Sequence, residues 1–405
     1  MFLKKNIHKI QDCYGCGVCS LVCPKKIISI RLNNDGFYEP EISDESQCIE
    51  CGLCLSVCAF NHKELCSANT RPLTSYAAWS NEYAVLRKCS SGGIGYEIGR
   101  QLIRQGYKVC AVRYDSDLER AEHFVAGDEM HLMESIGSKY IQSYTLPGLS
   151  MLSRGEKYLV TGTPCQIDSF RRYIRHTKQE DNFILLDFFC HGIPSLLAWR
   201  KYLHQVEKVT GKTVSASWRN KHTGWHDSWN VGVDGVNSKN EMDWHESYSI
   251  KIREKKSLYQ SRWTRGDVFY KLFLGDYCSN IACEKNCKYK YDRSSADIRI
   301  GDLWGDTYKN NEDGVSAVVA FTPKGKYLIE SLQNCTLIEH PFDVVAEGQM
   351  KENIGHAFVS PIIRALLRSR FSVPFVAYKI LFLIEKVLRL LFTHIKTKNR
   401  LLLII

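Results

Sequence analysis

Eight cysteines crowd into the first 58 residues of this 405-residue chain, in two runs of identical spacing. Cys13-x2-Cys16-x2-Cys19-x3-Cys23 is followed at once by Pro24, and Cys48-x2-Cys51-x2-Cys54-x3-Cys58 repeats it with Ala59 in place of the proline. Two-residue gaps let three consecutive thiolates curl around one face of an iron–sulfide cube. The chain then leaves along a short helix, so the fourth thiolate comes from the other run. This spacing assigns Cys13, Cys16, Cys19 and Cys58 to one [4Fe-4S] cluster, and Cys48, Cys51, Cys54 and Cys23 to a second. Zinc modules use two separated CxxC pairs instead of such dense runs. Gly17 and Gly52 give the backbone room to bring amides near the sulfurs.

Between the runs, IISIRLNNDGFYEPEI reads as a hairpin. It alternates at Ile28, Ile30 and Leu32, turns at Asn34-Asp35-Gly36 and returns through Phe37 and Tyr38. Residues 1–65 thus resemble a small bacterial-type ferredoxin with two pseudo-symmetric halves. The whole chain carries 17 cysteines, an odd number in clustered triplets. That usage suits metal ligation in a reducing cytosol better than secreted disulfides. The N-terminus lacks an apolar run long enough for a signal peptide, and no stretch approaches 18 uncharged apolar residues. A cytoplasmic location without a membrane span is the expectation. Hydrophobic residues make up 44% and charged residues 24%, which excludes wholesale disorder and a multispan membrane protein.

After a linker near 66–74 the chain changes character, and residues 75–335 read as an α/β body. Ser90-Ser91-Gly92-Gly93 precedes a helical pattern (IGYEIGRQLIRQ) and a strand (YKVCAVRY). Small residues at a helix start leave N–H groups free for an anion such as phosphate, and a plain helix cap is the alternative. The strand at Tyr158 runs into Gly162-Thr163-Pro164-Cys165-Gln166 and a helix. The strand at Ile184 runs into Cys190-His191-Gly192-Ile193-Pro194-Ser195 and another. Such repetition predicts a parallel sheet with crossover helices, in which ligands sit beyond the carboxyl ends of strands. Cys165 and Cys190 would lie there, although buried structural cysteines are common. Residues 213–253 alternate as an antiparallel addition, and a helix follows around 265–273.

A third run, Cys278-x4-Cys283-x3-Cys287, precedes ADIRIGDLWG at 296–305. Three thiolates need a fourth for a cube, and Cys190 is the first candidate, with Cys165 second. Zinc on Cys278, Cys283 and Cys287 with His191 is the competing arrangement.

SSGG (90–93), GSKY (137–140), GTPCQ (162–166), CHGIPS (190–195), the third cysteine run and ADIRIGDLWG occur in that order. Together they resemble the coenzyme F-420 hydrogenase/dehydrogenase beta-subunit family, in its bacterial branch with a fused N-terminal two-cluster ferredoxin. The resemblance covers roughly residues 1–335. One departure is the x3 gap before Cys287, where the family usually has two residues. The resemblance implies an FAD-dependent iron–sulfur oxidoreductase with a third [4Fe-4S] cluster near the flavin. It implies that Ser91, Gly92 and Gly93 cradle FAD phosphate and that Lys139 supplies positive charge. Gly162, Thr163, Pro164 and Gln166 would line the isoalloxazine, and Asp302 would be a polar contact on the flavin side. His191 is a candidate proton donor, with a structural histidine as the alternative. Many bacterial members look linked to surface-polysaccharide synthesis. Donor, acceptor, direction of electron flow, use of coenzyme F-420 and oligomeric state are not legible in the sequence.

The net charge of +10 is concentrated at the end of the chain. Residues 361–405 hold nine Lys/Arg against the single acid Glu385, leaving the rest nearly neutral. No nucleic-acid-binding surface is expected from such a distribution. The segment 336–405 reads as a basic amphipathic helical tail, suited to the anionic inner face of a membrane or to packing on the body. The expected function is therefore electron passage between a ferredoxin-type donor and FAD, with hydride or electron transfer to a small molecule or partner protein. A non-catalytic electron-transfer adaptor for a partner enzyme is the alternative, and a scaffold with a purely structural ferredoxin module is a third.

Overall fold

The computed structural model of the protein describes residues 6–66, 71–237 and 257–402. The SYSIKIRE stretch of the expected antiparallel addition, residues 67–70 of the linker, and the last three residues lie outside them. At the N-terminus, β1 (Ile28–Leu32) pairs antiparallel with β2 (Tyr38–Ile42), in register from Ile28 opposite Ile42 to Leu32 opposite Tyr38. Two short helices, α1 (Val18–Val22) and α2 (Leu53–Ser56), follow the two cysteine triplets. Each is entered through a glycine in the left-handed region, Gly17 (φ 75°) and Gly52 (φ 71°), where a Cβ would be strained. The pseudo-symmetric ferredoxin form expected from the sequence is present.

The body is built on a nine-stranded mixed sheet. In chain order its strands are β3 (Thr74–Ser80), β4 (Lys108–Asp115), β5 (Arg120–Ala126), β6 (Ser143–Tyr144), β7 (Tyr158–Thr161), β8 (Phe183–Phe188), β12 (Ile298–Asp302), β13 (Ser316–Ala320) and β14 (Cys335–Glu339). Their spatial order is β14-β3-β13-β12-β8-β7-β4-β5-β6. Only the centre, β12-β8-β7-β4, is the parallel array the strand–loop–helix repeats predicted. On one side β12, β13, β3 and β14 pair antiparallel, and β4 pairs antiparallel with β5. The correction has a local cause. The chain passes from β4 to β5 in four residues, far short of the dozen or more that a parallel crossover needs, and from β12 to β13 with no α-helix between them. The sheet also runs through Glu339, past the boundary expected at 335. A separate three-stranded sheet places β10 (Trp229–Gly235) between β9 (Thr213–Arg219) and β11 (Tyr259–Arg262).

Three helices position the site. α3 (Ile94–Arg104) follows the Ser-Gly loop, α4 (Pro164–His176) follows β7, and α5 (Leu196–Thr210) follows β8. α6 (Val268–Leu274) stands where a helix was expected, a few residues late. α7 (Pro323–Glu330) lies between β13 and β14. The tail forms α8 (Ser360–Arg368) and α9 (Phe375–Leu402). The two parts of the chain share one apolar core: Ile7, Ile28 and Ile30 belong to the same buried group as Trp199, Trp218, Phe269 and Tyr270.

An ion pair closes the middle of the sheet. Arg299 on β12 stands in register with Asp187 on β8. Both are fully buried, and two guanidinium nitrogens bond the two carboxylate oxygens at 2.7 and 2.8 Å. The same guanidinium donates to the carbonyls of Tyr289, Tyr291 and Arg293, so it pins the segment that follows Cys287. Removing one partner strands a buried charge. Asp187→Ala is therefore expected to cost about 3–5 kcal/mol, seen as a lowered thermal midpoint, whereas a surface change such as Asp117→Ala should leave it within error.

Candidate functional site

The structure gathers the N-terminal cysteines into two sets. Cys13, Cys16, Cys19 and Cys58 line one cavity with Ile7, Ile30 and Phe60. Cys23, Cys48, Cys51 and Cys54 line a second with Ile28, Ile42 and Leu53. Both cavities have a volume of about 380 Å³ including the space open to solvent. These are the two groupings assigned from spacing. The inner set is enclosed, whereas Cys51 of the outer set is exposed. Burial pushes the Cys58 thiol up to about 12, and burial likewise raises Cys13, Cys16 and Cys19. Such thiols give up their protons only to a strong local positive charge, which iron provides. The donor chemistry and the enclosure fit a [4Fe-4S] cube in each cavity.

A third group of cysteines lies beside the inner set. Cys165 and Cys190 come from the ends of β7 and β8, and Cys283 and Cys287 from the third run. Cys165 and Cys287 pack in one group with Ala282 and Tyr289, and a Cβ on Gly192, two residues after Cys190, would lie 3.7 Å from Cys283 Cβ. Burial pushes the Cys190 thiol up to about 11. Lys290 stands among them and donates to the carbonyls of Cys190 (2.8 Å) and His191 (2.7 Å).

Cys278 is not in the group. Its thiol points toward the carbonyl of Leu272 at 3.9 Å and packs among Val268, Val359 and Ile363. The sequence-based set of Cys278, Cys283, Cys287 and Cys190 therefore loses one member. The competing zinc set loses the same one, and among the described residues no three His, Cys, Asp or Glu side chains are arranged to hold a single metal ion. Counting cysteines along the chain could not show that the turn after α6 carries Cys278 into the core beneath the tail.

Next to this third group opens a large cavity, about 2170 Å³ including its mouth. Ser91, Gly93, Lys139, Gly162, Thr163, Gln166, Cys190, His191 and Asp302 all line it. At one end α3 begins at Gly93 (φ 83°) with no side-chain cap, so its first N–H groups are available to an anion. Lys139 stands nearby, its Nζ donating to the carbonyls of Ser135 (2.8 Å) and Ile136 (3.1 Å). Burial pulls Lys139 down to about 7, against the smaller upward pull of Cys89 and Glu134.

Some expected flavin contacts have other tasks. Gly92 is off the cavity; a Cβ there would collide with the carbonyl of Ala78 and the amide of Ser316, so it is a glycine for backbone packing. Ser91 donates its hydroxyl to the carbonyl of Val315 (2.7 Å). Pro164 is the first residue of α4 and does not line the cavity. Gln166 accepts from the Thr163 amide (2.9 Å) and donates to Ser143 (3.1 Å), closing the helix start. His191 Nε2 lies 2.8 Å from Asp276 Oδ1.

Sequence reasoning missed the far wall. Arg219 on β9 is buried and grips both oxygens of Asp302, at 3.0 and 3.1 Å. Trp225 Nε1 bonds the same carboxylate at 2.8 Å. The Arg219 guanidinium also lies over the rings of Trp229 (4.8 Å) and Trp304 (5.2 Å). Burial alone would lower the Arg219 pKa, but Asp302 beside it holds it above its ordinary value. Lys221 donates to the carbonyls of Leu86 and Ser91 and fastens the Ser-Gly loop from behind. The one available signal was the paired Trp-Arg of SWRN on an alternating strand.

Comparison with known proteins agrees with this geometry. The family model for the C terminus of the coenzyme F420 hydrogenase/dehydrogenase beta subunit matches residues 155–341, and the model for a 4Fe-4S dicluster domain matches residues 12–62. The chain is 23% identical over 337 residues to the coenzyme F420-dependent sulfite reductase of Methanocaldococcus jannaschii, covering 81% of this chain and 47% of that protein. It thus spans about half the length of that curated relative. A chain from the xenon-derivatised F420-reducing [NiFe] hydrogenase complex of Methanosarcina barkeri aligns with a TM-score of 0.42 and 16% identity, over 74% of this chain and 88% of that one.

The tightest backbone turn of the inner set lies at Gly15 (φ 65°), between Cys13 and Cys16. A Cβ there would collide with the carbonyl of Tyr38 and the amide of Gln142. Gly15→Ala is expected to lower the bound iron of anaerobically purified protein. Gly52→Ala, with open space around its Cβ, should lower it less, and equal iron in the two proteins would refute the assignment of strain.

Proposed function

Since the chain belongs to the coenzyme F420 hydrogenase/dehydrogenase beta-subunit family and carries a 4Fe-4S dicluster domain, we propose that it is an FAD-dependent iron–sulfur oxidoreductase. In this reading the exposed outer site, the inner site and the third cysteine group would hold one-electron carriers in succession up to the large cavity. The observation that carries it is the unbroken succession of cysteine sets. Cys19 of the inner set and Cys54 of the outer belong to one buried group, and Cys16 of the inner set lies 3.2 Å from Ser169 on α4, the helix whose first turn carries Cys165 of the third. The cavity opens at Cys190.

When bound, thiolate-held cubes supply one-electron transfer and FAD supplies two-electron or hydride chemistry. The chain's own part is to hold and to exclude water. Cys13, Cys16, Cys19 and Cys58 hold the inner cube, and Cys23, Cys48, Cys51 and Cys54 the outer. Cys165, Cys190, Cys283 and Cys287 hold a third. The N–H groups at the start of α3 and the Lys139 ammonium bind the FAD phosphates. Trp229, Trp304 and the Arg219–Asp302 pair form the wall against which the ring system is oriented. His191, steadied by Asp276, is placed to hold a proton at Nε2 or Nδ1 beside the cavity. The acceptor is a small molecule or a partner protein, and a link to surface-polysaccharide synthesis rests on the family resemblance alone.

Metal and flavin analysis separates this from an electron-transfer adaptor. Anaerobically purified protein is expected to hold about twelve irons and one FAD, from three cubes and one flavin. Cys165→Ala should lose about four of those irons and Cys278→Ala none. About eight irons without flavin would leave the adaptor.

The tail supports a contact with an anionic membrane. Among the described residues no helix is long and apolar enough to cross one. α9 buries Tyr378, Leu381, Phe382 and Glu385 on the body, yet exposes Val376, Ile380, Leu383, Ile384, Val387 and Leu391. Lys379 and Lys386 flank this second apolar stripe, and the only acid, Glu385, is buried against Arg389 (2.7 Å). A stripe bordered by cations and free of exposed acids suits an anionic lipid surface. The protein should sediment with phosphatidylglycerol vesicles but not with phosphatidylcholine vesicles, and Leu383→Glu should abolish this. Equal sedimentation with both lipids would refute it.

A further inference from the structure

The two cavities of the N-terminal module match in cysteine spacing and in volume, but the body treats them differently. The outer one reaches solvent at Cys51. In the inner one the equivalent cysteine, Cys16, meets a side chain of the body. That side chain is Ser169, wholly buried on α4, one helical turn beyond Cys165. Its Oγ lies 3.2 Å from Cys16 Sγ and 3.0 Å from the amide nitrogen of Ala59. The Ala59 amide can only donate, so it occupies a lone pair of the hydroxyl. The hydroxyl proton is then free to point at sulfur, and a cysteine ligated to iron is an acceptor there.

We propose that the Ser169 hydroxyl sets the reduction potential of the cube held by Cys13, Cys16, Cys19 and Cys58, by donating a hydrogen bond to the Cys16 sulfur. Reduction adds one negative charge, shared with the ligand sulfurs. A donor at one sulfur favours the more negative state and raises the potential, while exclusion of water disfavours that state and lowers it. The inner site is the more enclosed of the two, so an uncompensated inner cube would be the harder to reduce. Ser169 offsets this where electrons leave the module for the body. The residue acts through Cys16 and is a positioning residue, without contact to a reacting molecule.

The inference rests on the proposed binding of cubes in these cavities, and the two can fail separately. Redox titration followed by electron paramagnetic resonance would compare the wild-type, Ser169→Ala, Ser169→Thr and Ser169→Cys proteins, each with its iron measured. With wild-type iron, Ser169→Ala is expected to shift one reduction step to more negative potential and leave the others in place. Ser169→Thr keeps the hydroxyl and should restore the wild-type value. Ser169→Cys fills the same space with a weaker donor, so it should shift the same step in the same direction by less. Unchanged steps in the alanine and cysteine proteins at full iron would overturn the inference and leave the cubes in place. Loss of iron from both would overturn it as well, because Ser169 would then serve assembly. Fewer than eight irons in the wild-type protein would refute the cluster reading itself.

Discussion

The structure depends on holding the backbone of the N-terminal module at fixed points on the body. Four thiolates around one cube leave little positional freedom, and a 60-residue module has only a marginal core of its own with which to enforce this. The body supplies the missing restraints by bonding main-chain groups next to the cysteines. Asn280 Nδ2 donates to the carbonyl of Cys13 at 3.2 Å, and Thr145 Oγ1 to that of Cys16 at 3.0 Å. Gln142 accepts from the Tyr38 amide and donates to the Tyr14 carbonyl, bridging the first cysteine loop and β2. The hairpin turn is held too: Arg368 of α8 grips both oxygens of Asp35, at 2.7 and 2.9 Å, and Leu196 donates to the carbonyl of Gly36. These restraints come from separate regions of the body, so the module cannot rotate without breaking several at once.

Buried charge is used in the same way. A buried ion pair seldom adds net stability over an apolar pair, but it penalises every arrangement that separates the partners. Arg299 and Arg219 exploit that penalty at opposite ends of one structural problem. Arg299 ties the central sheet to the segment after Cys287. Arg219 ties the small antiparallel sheet to Asp302, the last residue of β12. Both acid–base contacts involve β12, so the third cysteine group and the cavity wall are referred to one strand. The ADIRIGDLWG motif is therefore largely a positioning device. Asp297 accepts from the Leu185 amide (2.7 Å) and from Thr322 (2.9 Å), Arg299 holds the loop, and only Asp302 and the residues beside it reach the cavity.

What could be read from the chain follows the range of the interaction responsible. Cysteine spacing is local, and the two N-terminal groupings appear in space as the runs imply. The strand–loop–helix segments at Tyr158 and Ile184 are also local, and they place Cys165 and Cys190 at adjacent parallel strand ends. Contacts between distant segments were illegible. β3 and β14 pair with each other although they come from opposite ends of the body, which no local pattern marks. Cys278 lies five residues from Cys283, but a turn and the tail helices remove it from the third group. Arg219 meets Asp302 across 83 positions, and no periodicity marks either residue as a partner. Gly92 stands in a loop that suggests phosphate binding, yet its lack of a side chain serves the packing of β3 against β13.

Pseudo-symmetry in sequence does not survive as symmetry of environment. The two runs have the same gaps, and their helices both start at left-handed glycines. An isolated module of this kind would hold two nearly equivalent sites. Docking covers only one of them: the inner cavity is enclosed and receives a hydroxyl and several carbonyl-directed bonds, while the outer keeps an exposed cysteine. Enclosure and hydrogen bonding act on potential in opposite senses, so the body can shift one site against the other without changing a single ligand. The same asymmetry gives the module a direction, with a solvent-facing end at Cys51 and a buried end against Cys165 and Cys190. The polarity therefore arises from the surface against which the repeat is packed.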